Sequence, residues 1–469
     1  MGSFNSADYP TIALDDAAGE IVIIDQTLLP GEVRLLRLSK IEDIWEAIKT
    51  LRVRGAPAIG VTAAFAVYLA GKAIDTEDTL VFAEKFGEAA DYLATSRPTA
   101  VNLFWALDRM RGVVADALEG GRAGAAGAAA EAGGAAGADK TRADEAGVYS
   151  AVAGAAGVAA EAGGVVGAAK TGSDEDGVFS AAAGAAGAAT EAGGVVGTAK
   201  TGSDEAGVFS AAAGAAGTAA GAGGVADAAI TTEAGAAITV REIKKRLLLE
   251  ANAIRDEDIA ICKAIGEHAL GLLKPGMGLL THCNAGRLAT VEYGTATSAM
   301  YLGHEKGYGF SIYCDETRPL LQGARLTAFE LAAAGLKPTV ICDNMVSSLM
   351  AAGKIDAVFT GCDRVAANGD SANKIGTSGV AIIAKHYGVP FYICAPSSTL
   401  DMATPDGSGI TIEQRAPEEV TEMWYEARMA PAEAGVYNPA FDVTDASLIT
   451  AIITEDGVFH PAELKARYG

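Results

Sequence analysis

The stretch AVFTGCDRVAANGDSANKIGTSGVAIIAKHYGVPFYICAP (Ala357–Pro396) decides the fold. It opens on a short, nearly continuous apolar run, AVFTGCD, and closes on another, PFYICAP. Between them GTSGVAIIAKHYG (Gly376–Gly388) carries the apolar spacing of a helix. Strands apolar on both sides, joined by a helical crossover, belong to a parallel sheet covered on both faces.

The same alternation extends upstream. GLLTHC (Gly278–Cys283), GFSIYC (Gly309–Cys314) and PTVICD (Pro338–Asp343) read as further strands, and GARLTAFELAAAG (Gly323–Gly335) as a helix. A long helix, EIKKRLLLEANAIRDEDIAICKAIGEHALGLL (Glu242–Leu273), leads in and is stopped by Lys274-Pro275-Gly276. Residues 241–469 thus read as a doubly wound, mainly parallel-sheet, Rossmann-like α/β domain, with its ligands expected at the carboxyl ends of the strands. Residues 1–120 read as a mostly helical domain: after the strand-like IVIID (Ile21–Asp25), helical spacing recurs at Ile41–Val53, Ala56–Ile74 and Thr99–Leu118.

A repeat separates the two parts. AVAGAAGVAAEAGGVVGAAKTGSDEDGVFS (Ala151–Ser180) returns almost unchanged at Ala181–Ser210, a period of 30 residues, with weaker copies on either side. Each unit offers too little apolar bulk for a packed solenoid, and its glycines oppose helix by about 1 kcal/mol each. Residues 121–240 are therefore read as a low-complexity Ala/Gly insertion, an expansion of a surface loop at small free-energy cost.

The net charge of -23 disfavours nucleic-acid binding, while leaving room for a local cluster of cations that holds a small anion. Neither a secretory leader nor a membrane span is expected, since the longest apolar stretches are interrupted by charge or glycine before about 18 residues. The six cysteines lack the spacing of a zinc site, so no metal and no cofactor is called for, and reduced thiols point to the cytoplasm.

Polar groups gather where the strands end. THCNAG (Thr281–Gly286) brings Cys283 and Asn284. CDETRPLLQGAR (Cys314–Arg325) brings Asp315, Glu316, Arg318 and Gln322. GCDRVAANGDSANKIGTSG (Gly361–Gly379) brings Asp363, Arg364, Asn368, Asp370, Asn373 and Lys374. Upstream, Arg54-Gly55-Ala56 offers a guanidinium and backbone N–H groups at the start of a helix, the makings of an anion site. His282 adjoins Cys283, but neighbouring strand residues face opposite sides, so packing is expected of it rather than a Cys–His dyad.

VRGAPAIG (Val53–Gly60), RPTAVNLFWA (Arg97–Ala106), THCNAGRLAT (Thr281–Thr290), ETRPLLQGARLTAFEL (Glu316–Leu331), GCDRVAANGDSANKIGT (Gly361–Thr377) and PFYICAPSSTLD (Pro390–Asp401) together resemble the methylthioribose-1-phosphate isomerase family. These aldose–ketose isomerases are related to regulatory subunits of a translation-initiation exchange factor. The resemblance implies a small sugar-phosphate substrate, with Asp363 as proton donor and Cys283 as its catalytic partner. It implies substrate contacts from Arg54, Gly55, Ala56, Arg97, Gln322, Asn373 and Lys374, and a homodimer. Phosphate on C1 locks the anomeric carbon, so the reaction must protonate the ring oxygen, open the ring and move hydrogen from C2 to C1, which calls for two protonatable groups. Ala285, Cys362 and the GTATSAM run (Gly294–Met300) depart from the family pattern. Two alternatives stay open: an isomerase of 5-deoxyribose 1-phosphate or ribose 1,5-bisphosphate, and a non-catalytic sugar-phosphate- or nucleotide-binding regulator.

Overall fold

The computed structural model describes residues 10–98, 100–133 and 238–469, of which 120–133 as helical backbone only. The two full repeat copies lie outside the described residues, and the weaker copy before them starts within the helix that ends at Gly133.

The chain begins with an antiparallel sheet of β1 (Ile12–Asp15), β2 (Glu20–Ile24) and β3 (Leu35–Leu38), of which the sequence pattern marks only β2. Five helices follow: α1 (Ile41–Lys49), α2 (Ala56–Ala73), α3 (Thr79–Ala94), α4 (Val101–Gly133) and α5 (Val240–Leu270). The sequence reading passed over α3; it starts on a true N-cap, Asp78, whose carboxylate accepts the N–H groups of Leu80 and Val81. By length and composition α2 could cross a membrane. It is instead a core helix, buried from Ala58 to Leu69 among the side chains of α1, α3, α4 and α5. Its two internal glycines do not interrupt it; Gly60 lets the backbone of Asn102 come close.

Helix α5 belongs to two cores. Val240, Ile243, Leu247, Ala251 and Ile254 pack with α2 and α4, while Ile265, Ala269 and Leu270 pack against the large sheet. The strands that follow are β4 (Gly278–Thr281), β5 (Ser311–Asp315), β6 (Pro338–Ile341), β7 (Ala357–Thr360), β8 (Arg364–Ala366) and β9 (Ser371–Lys374). After them come β10 (Phe391–Cys394), β11 (Leu400–Asp401), β12 (Phe441–Thr444), β13 (Ala451–Thr454) and β14 (Gly457–Phe459). Seven of them form one sheet in the order β14-β13-β10-β7-β4-β5-β6, parallel except at β14. Alternate residues feed opposite cores: Leu279, Phe359, Cys394 and Ile453 enter one, and Leu280, Val358, Ile393 and Ile452 the other. That is the doubly covered sheet implied by unbroken apolar strands.

Crossovers run through α6 (Ser298–Glu305), α7 (Ala328–Ala333), α8 (Val346–Ala351) and α9 (Thr377–Tyr387). The segment read as one helix from Gly323 opens with a π-helical turn, Gly323–Thr327, before α7. Gly323 lies against β5 so closely that a Cβ there would fall 1.7 Å from the Asp315 carbonyl oxygen. A smaller sheet, β11-β8-β9-β12, caps the carboxyl side. From β4 the chain winds outward to β6, then returns to β7 on the other flank. The switch point, where such sheets bind ligands, therefore lies between the ends of β4 and β7.

Candidate active site

Cys283 follows β4 and Asp363 follows β7, so the two flank that switch point. Cys283 is buried and sits in a left-handed backbone conformation, φ 64°. Such strain in a non-glycine residue needs external support. Here the Cys283 N–H donates to Thr317 Oγ1 at 2.8 Å, and the Cys283 carbonyl accepts from Thr327 Oγ1 at 2.6 Å. Thr317 is fixed in turn by Asp343, whose carboxylate accepts the N–H groups of Thr317 and Arg318 at 2.7 and 2.8 Å. The β5 loop thus holds the β4 loop in place.

Arg54 reaches the site from the first helical unit. Its Nη2 donates to the Asn284 carbonyl at 2.6 Å. Gly55, the N-cap of α2, has φ 95°, and a Cβ there would lie 2.5 Å from Ala289. Only glycine permits this approach, which lays the amino end of α2, with Ala56 as its first residue, against the loop after Cys283.

Lys374 ends β9, its ammonium 4.2 Å from the centre of the Phe441 ring. Asn373 is buried beside it and donates from Nδ2 to Thr377 Oγ1 at 3.0 Å. Gln322 is buried with Oε1 unpartnered, and Asn284 Oδ1 is likewise buried and unpartnered. Buried acceptors without donors are rare in folded proteins, and a polyhydroxylated ligand could supply them.

Electrostatics bind these groups into one set. Asp363 is open to solvent, yet enough protein surrounds it that burial raises its carboxyl pKa above the usual range, against the pull of Lys374, Arg54 and Arg97. Burial also raises the Cys283 thiol, opposed by Arg54 and Lys374. Burial lowers the Lys374 ammonium, which feels both Cys283 and Asp363. Arg97 is lowered by burial while Glu413 and Asp363 raise it. Among the described residues no ion pair joins Arg54, Arg97 or Lys374 to a carboxylate, whereas neighbouring Arg364 and Arg415 are paired, with Asp401 and with Glu413 and Glu419. Three unpaired cations around a protonated thiol and a carboxyl of raised pKa can hold a phosphate and supply a proton.

Arg415 and Glu413 lie within electrostatic reach of Arg97, and Arg415 within reach of Lys374. The sequence reading assigned them nothing, because they follow no strand-end motif. Thr317, Thr327 and Asp343 escaped it too, since their part is to fix the backbone of other residues. His282 makes no bond to Cys283; it is wholly buried between Asp315 and the Ile375 carbonyl.

A separate cavity of ≈ 380 Å³ lies between α2, α4, α5 and the loop after β10, lined in part by Trp105, Ile254, Asp258, Ser397 and Met402. None of the residues singled out as catalytic or substrate-binding lines it. Asp258, at its wall, is pushed up to about 7 by burial, against the lowering effect of its bond from the Val291 N–H.

The model of the Initiation factor 2 subunit family matches residues 52–130 and 219–461, and the chain belongs to this family. It is 46% identical over 450 residues to a methylthioribose-1-phosphate isomerase of Symbiobacterium thermophilum, covering 96% of this chain and 92% of that one. It is 44% identical over 447 residues to a 5-deoxyribose 1-phosphate isomerase of Petrotoga mobilis, covering 95% and 94%. Among solved structures, 5-methylthioribose 1-phosphate isomerase of Pyrococcus horikoshii OT3 superposes with a TM-score of 0.67 at 31% identity, covering 98% of this chain and 94% of that one.

Proposed function

We propose that this chain is an aldose–ketose isomerase that interconverts S-methyl-5-thio-α-D-ribose 1-phosphate and S-methyl-5-thio-D-ribulose 1-phosphate in L-methionine salvage. The observation that carries the reading is the convergence of unpaired Arg54 and Lys374 on both Cys283 and Asp363 at the switch point, with unpaired Arg97 acting on Asp363 as well. The whole-length relationship to the Symbiobacterium isomerase supports it.

Asp363, whose carboxyl is raised above its ordinary range by burial, donates its proton to the ring oxygen, and the ring C1–O bond breaks. Hydrogen then moves from C2 to C1, and the C2 hydroxyl returns a proton to the Asp363 carboxylate as the ketone forms. An uncharged, desolvated thiol is a poor base. The raised Cys283 therefore favours a hydride shift beside a neutral Sγ over abstraction of the C2 proton by thiolate. Arg54, the N–H groups at Gly55 and Ala56, Arg97 and Lys374 bind the phosphate, and Gln322 and Asn373 bind sugar hydroxyls.

The 44% identity to the Petrotoga protein favours one second reading, 5-deoxyribose 1-phosphate as substrate. The enzyme works as a cytoplasmic homodimer, and the free state of all six cysteines is in keeping with a reducing compartment. Its parts are a helical domain over 1–120, the insertion over 121–240 and the catalytic domain over 241–469. Turnover of methylthioribose 1-phosphate, 5-deoxyribose 1-phosphate and ribose 1,5-bisphosphate, followed by ketose formation, tests the assignment. A higher kcat/KM for either alternative replaces the substrate, and no turnover of any of the three rejects the isomerase.

A further inference from the structure

His282 is fully buried, and each of its ring nitrogens faces an oxygen: Nδ1 lies 3.0 Å from Asp315 Oδ2 and Nε2 lies 2.9 Å from the Ile375 carbonyl oxygen. A neutral imidazole has one N–H and one lone pair, whereas imidazolium donates from both nitrogens. The carbonyl can only accept, which fixes a proton on Nε2, and a carboxylate at Nδ1 calls for a second. We propose that His282 is held as an imidazolium and acts as a positioning residue, clamping the turn that carries Asn373 and Lys374 to the strand end that carries Cys283.

The connectivity supports the clamp. His282 is covalently next to Cys283, and Ile375 is next to Lys374. Gly376, at φ 104°, lies so close that a Cβ would come within 2.9 Å of the imidazole Cε1, so the turn rests directly on the ring. Asp315 ends β5, two residues before the Thr317 that accepts the Cys283 N–H. Three strand-end segments therefore meet at one charged ring.

The charged groups facing this ring are Asp315, from β5, and Asp343, from the turn after β6; Glu316 acts on Asp315. Burial pushes the ring pKa down, but the hydrogen bond and charge of Asp315, with the charge of Asp343, outweigh it and leave it above 6.5. Burial raises Asp315 to about 6 against the opposing pull of His282. With the Nε2 proton fixed by the Ile375 carbonyl and two carboxylates, Asp315 and Asp343, raising the ring, the proposal places the proton shared with Asp315 on Nδ1. His282, Asp315 and Asp343 are close enough to resemble a metal-binding trio. Both ring nitrogens are already donors, however, and both Asp343 oxygens accept backbone N–H groups, so the trio is a hydrogen-bonded charge network.

This role rests on the functions proposed above for Cys283 and Lys374, but the protonation state can be read without them. In the full-length protein labelled with ¹⁵N-histidine, the ring spectrum at pH 8 should contain one residue with both nitrogens protonated, absent from His282→Asn. If that variant does not fold, replacing His268, His304, His386 and His460 one at a time assigns the signal. A His282 ring with one lone-pair nitrogen at pH 8 overturns the proposal, whether or not the protein turns over substrate. The second arm reads the clamp. Asp315→Asn removes the anion that keeps the ring charged, so the ratio of wild-type to variant kcat/KM should rise at least about fivefold between pH 6 and pH 8, chiefly through KM. A ratio flat across that range overturns the positioning role.

Discussion

Arg54 and Asn284, 230 residues apart in sequence, are joined by a 2.6 Å hydrogen bond from Nη2 to a backbone carbonyl. In the proposed function the helical unit thus completes the phosphate end of a site whose protonatable groups come from the parallel sheet. Because the guanidinium meets the loop and, in the proposed function, the substrate phosphate, Arg54→Lys should lose fork geometry that an ammonium cannot replace. KM for the sugar phosphate should rise about 10- to 100-fold with a smaller change in kcat, which corresponds to roughly 1.4–2.7 kcal/mol of lost charge-assisted bonding. Equal KM values for wild type and variant, measured by steady-state kinetics, would remove Arg54 from the phosphate site.

Asp363→Asn keeps the shape and removes the transferable proton. Turnover should fall about 10²–10⁴-fold, the range general acids contribute. In the proposed mechanism Asp363 works protonated, and burial raises its pKa. The activity it supplies is therefore present below that raised pKa and declines as pH rises through it. A pH–kcat profile lacking this alkaline decline would assign the proton to another group.

Buried carboxyls given no catalytic or binding role set a stability trend. Asp258 and Glu330 are each pushed up to about 7 by burial. In the unfolded chain they ionise near their ordinary values, so between about pH 4 and 7 the unfolded state binds fewer protons than the folded one, and stability falls as pH rises through that window. Denaturant melts at pH 5 and pH 8 should show the fall. Asp258→Asn, which keeps a carbonyl for the Val291 N–H, should reduce it by roughly 1–3 kcal/mol. An unchanged pH slope in the variant would mean that Asp258 ionises normally.

The centre of the sheet was legible because β4, β7 and β10 are covered on both faces and so read as apolar runs. Strand β5 and the edge strand β6, which leaves Thr339 and Val340 exposed, were legible from apolar runs alone. The strands β8, β9, β11 and β12 were not, because polar residues break their apolar runs and, as β12 on β9, they depend on partners distant in sequence. The same contrast holds in the site. Cys283, Asp363 and Lys374 stand in strand-end motifs, while Thr317, Thr327 and Asp343 matter only through bonds that close in three dimensions.

Cys283→Ser and Lys374→Ala separate chemistry from binding. A hydroxyl is smaller than a thiol and lacks the polarisable sulfur that lies beside the migrating hydride in the proposed mechanism. Turnover of Cys283→Ser should collapse while titration calorimetry finds substrate affinity near wild type. Lys374→Ala should instead weaken affinity by roughly 2–5 kcal/mol, because it removes a cation from among buried partners. Near-normal turnover in Cys283→Ser would shift the chemistry onto Asp363 alone.

The last prediction concerns the insertion. The family match stops at residue 130 and resumes at residue 219, so residues 131–218 fall outside the shared body. They hold both full repeat copies but none of the candidate catalytic or binding residues. Helix α4, by contrast, runs on to Gly133, and Val240, at the start of α5, is buried in the first core. A deletion should therefore spare both helix ends. Replacing residues 136–230 with a short Gly/Ser linker should leave the thermal midpoint and kcat/KM within about twofold of the full chain, because loop length contributes only weakly to stability. A variant that folds with an unchanged midpoint but loses more than about tenfold in kcat/KM, some 1.4 kcal/mol, would give the repeat a part in the reaction that its sequence does not suggest.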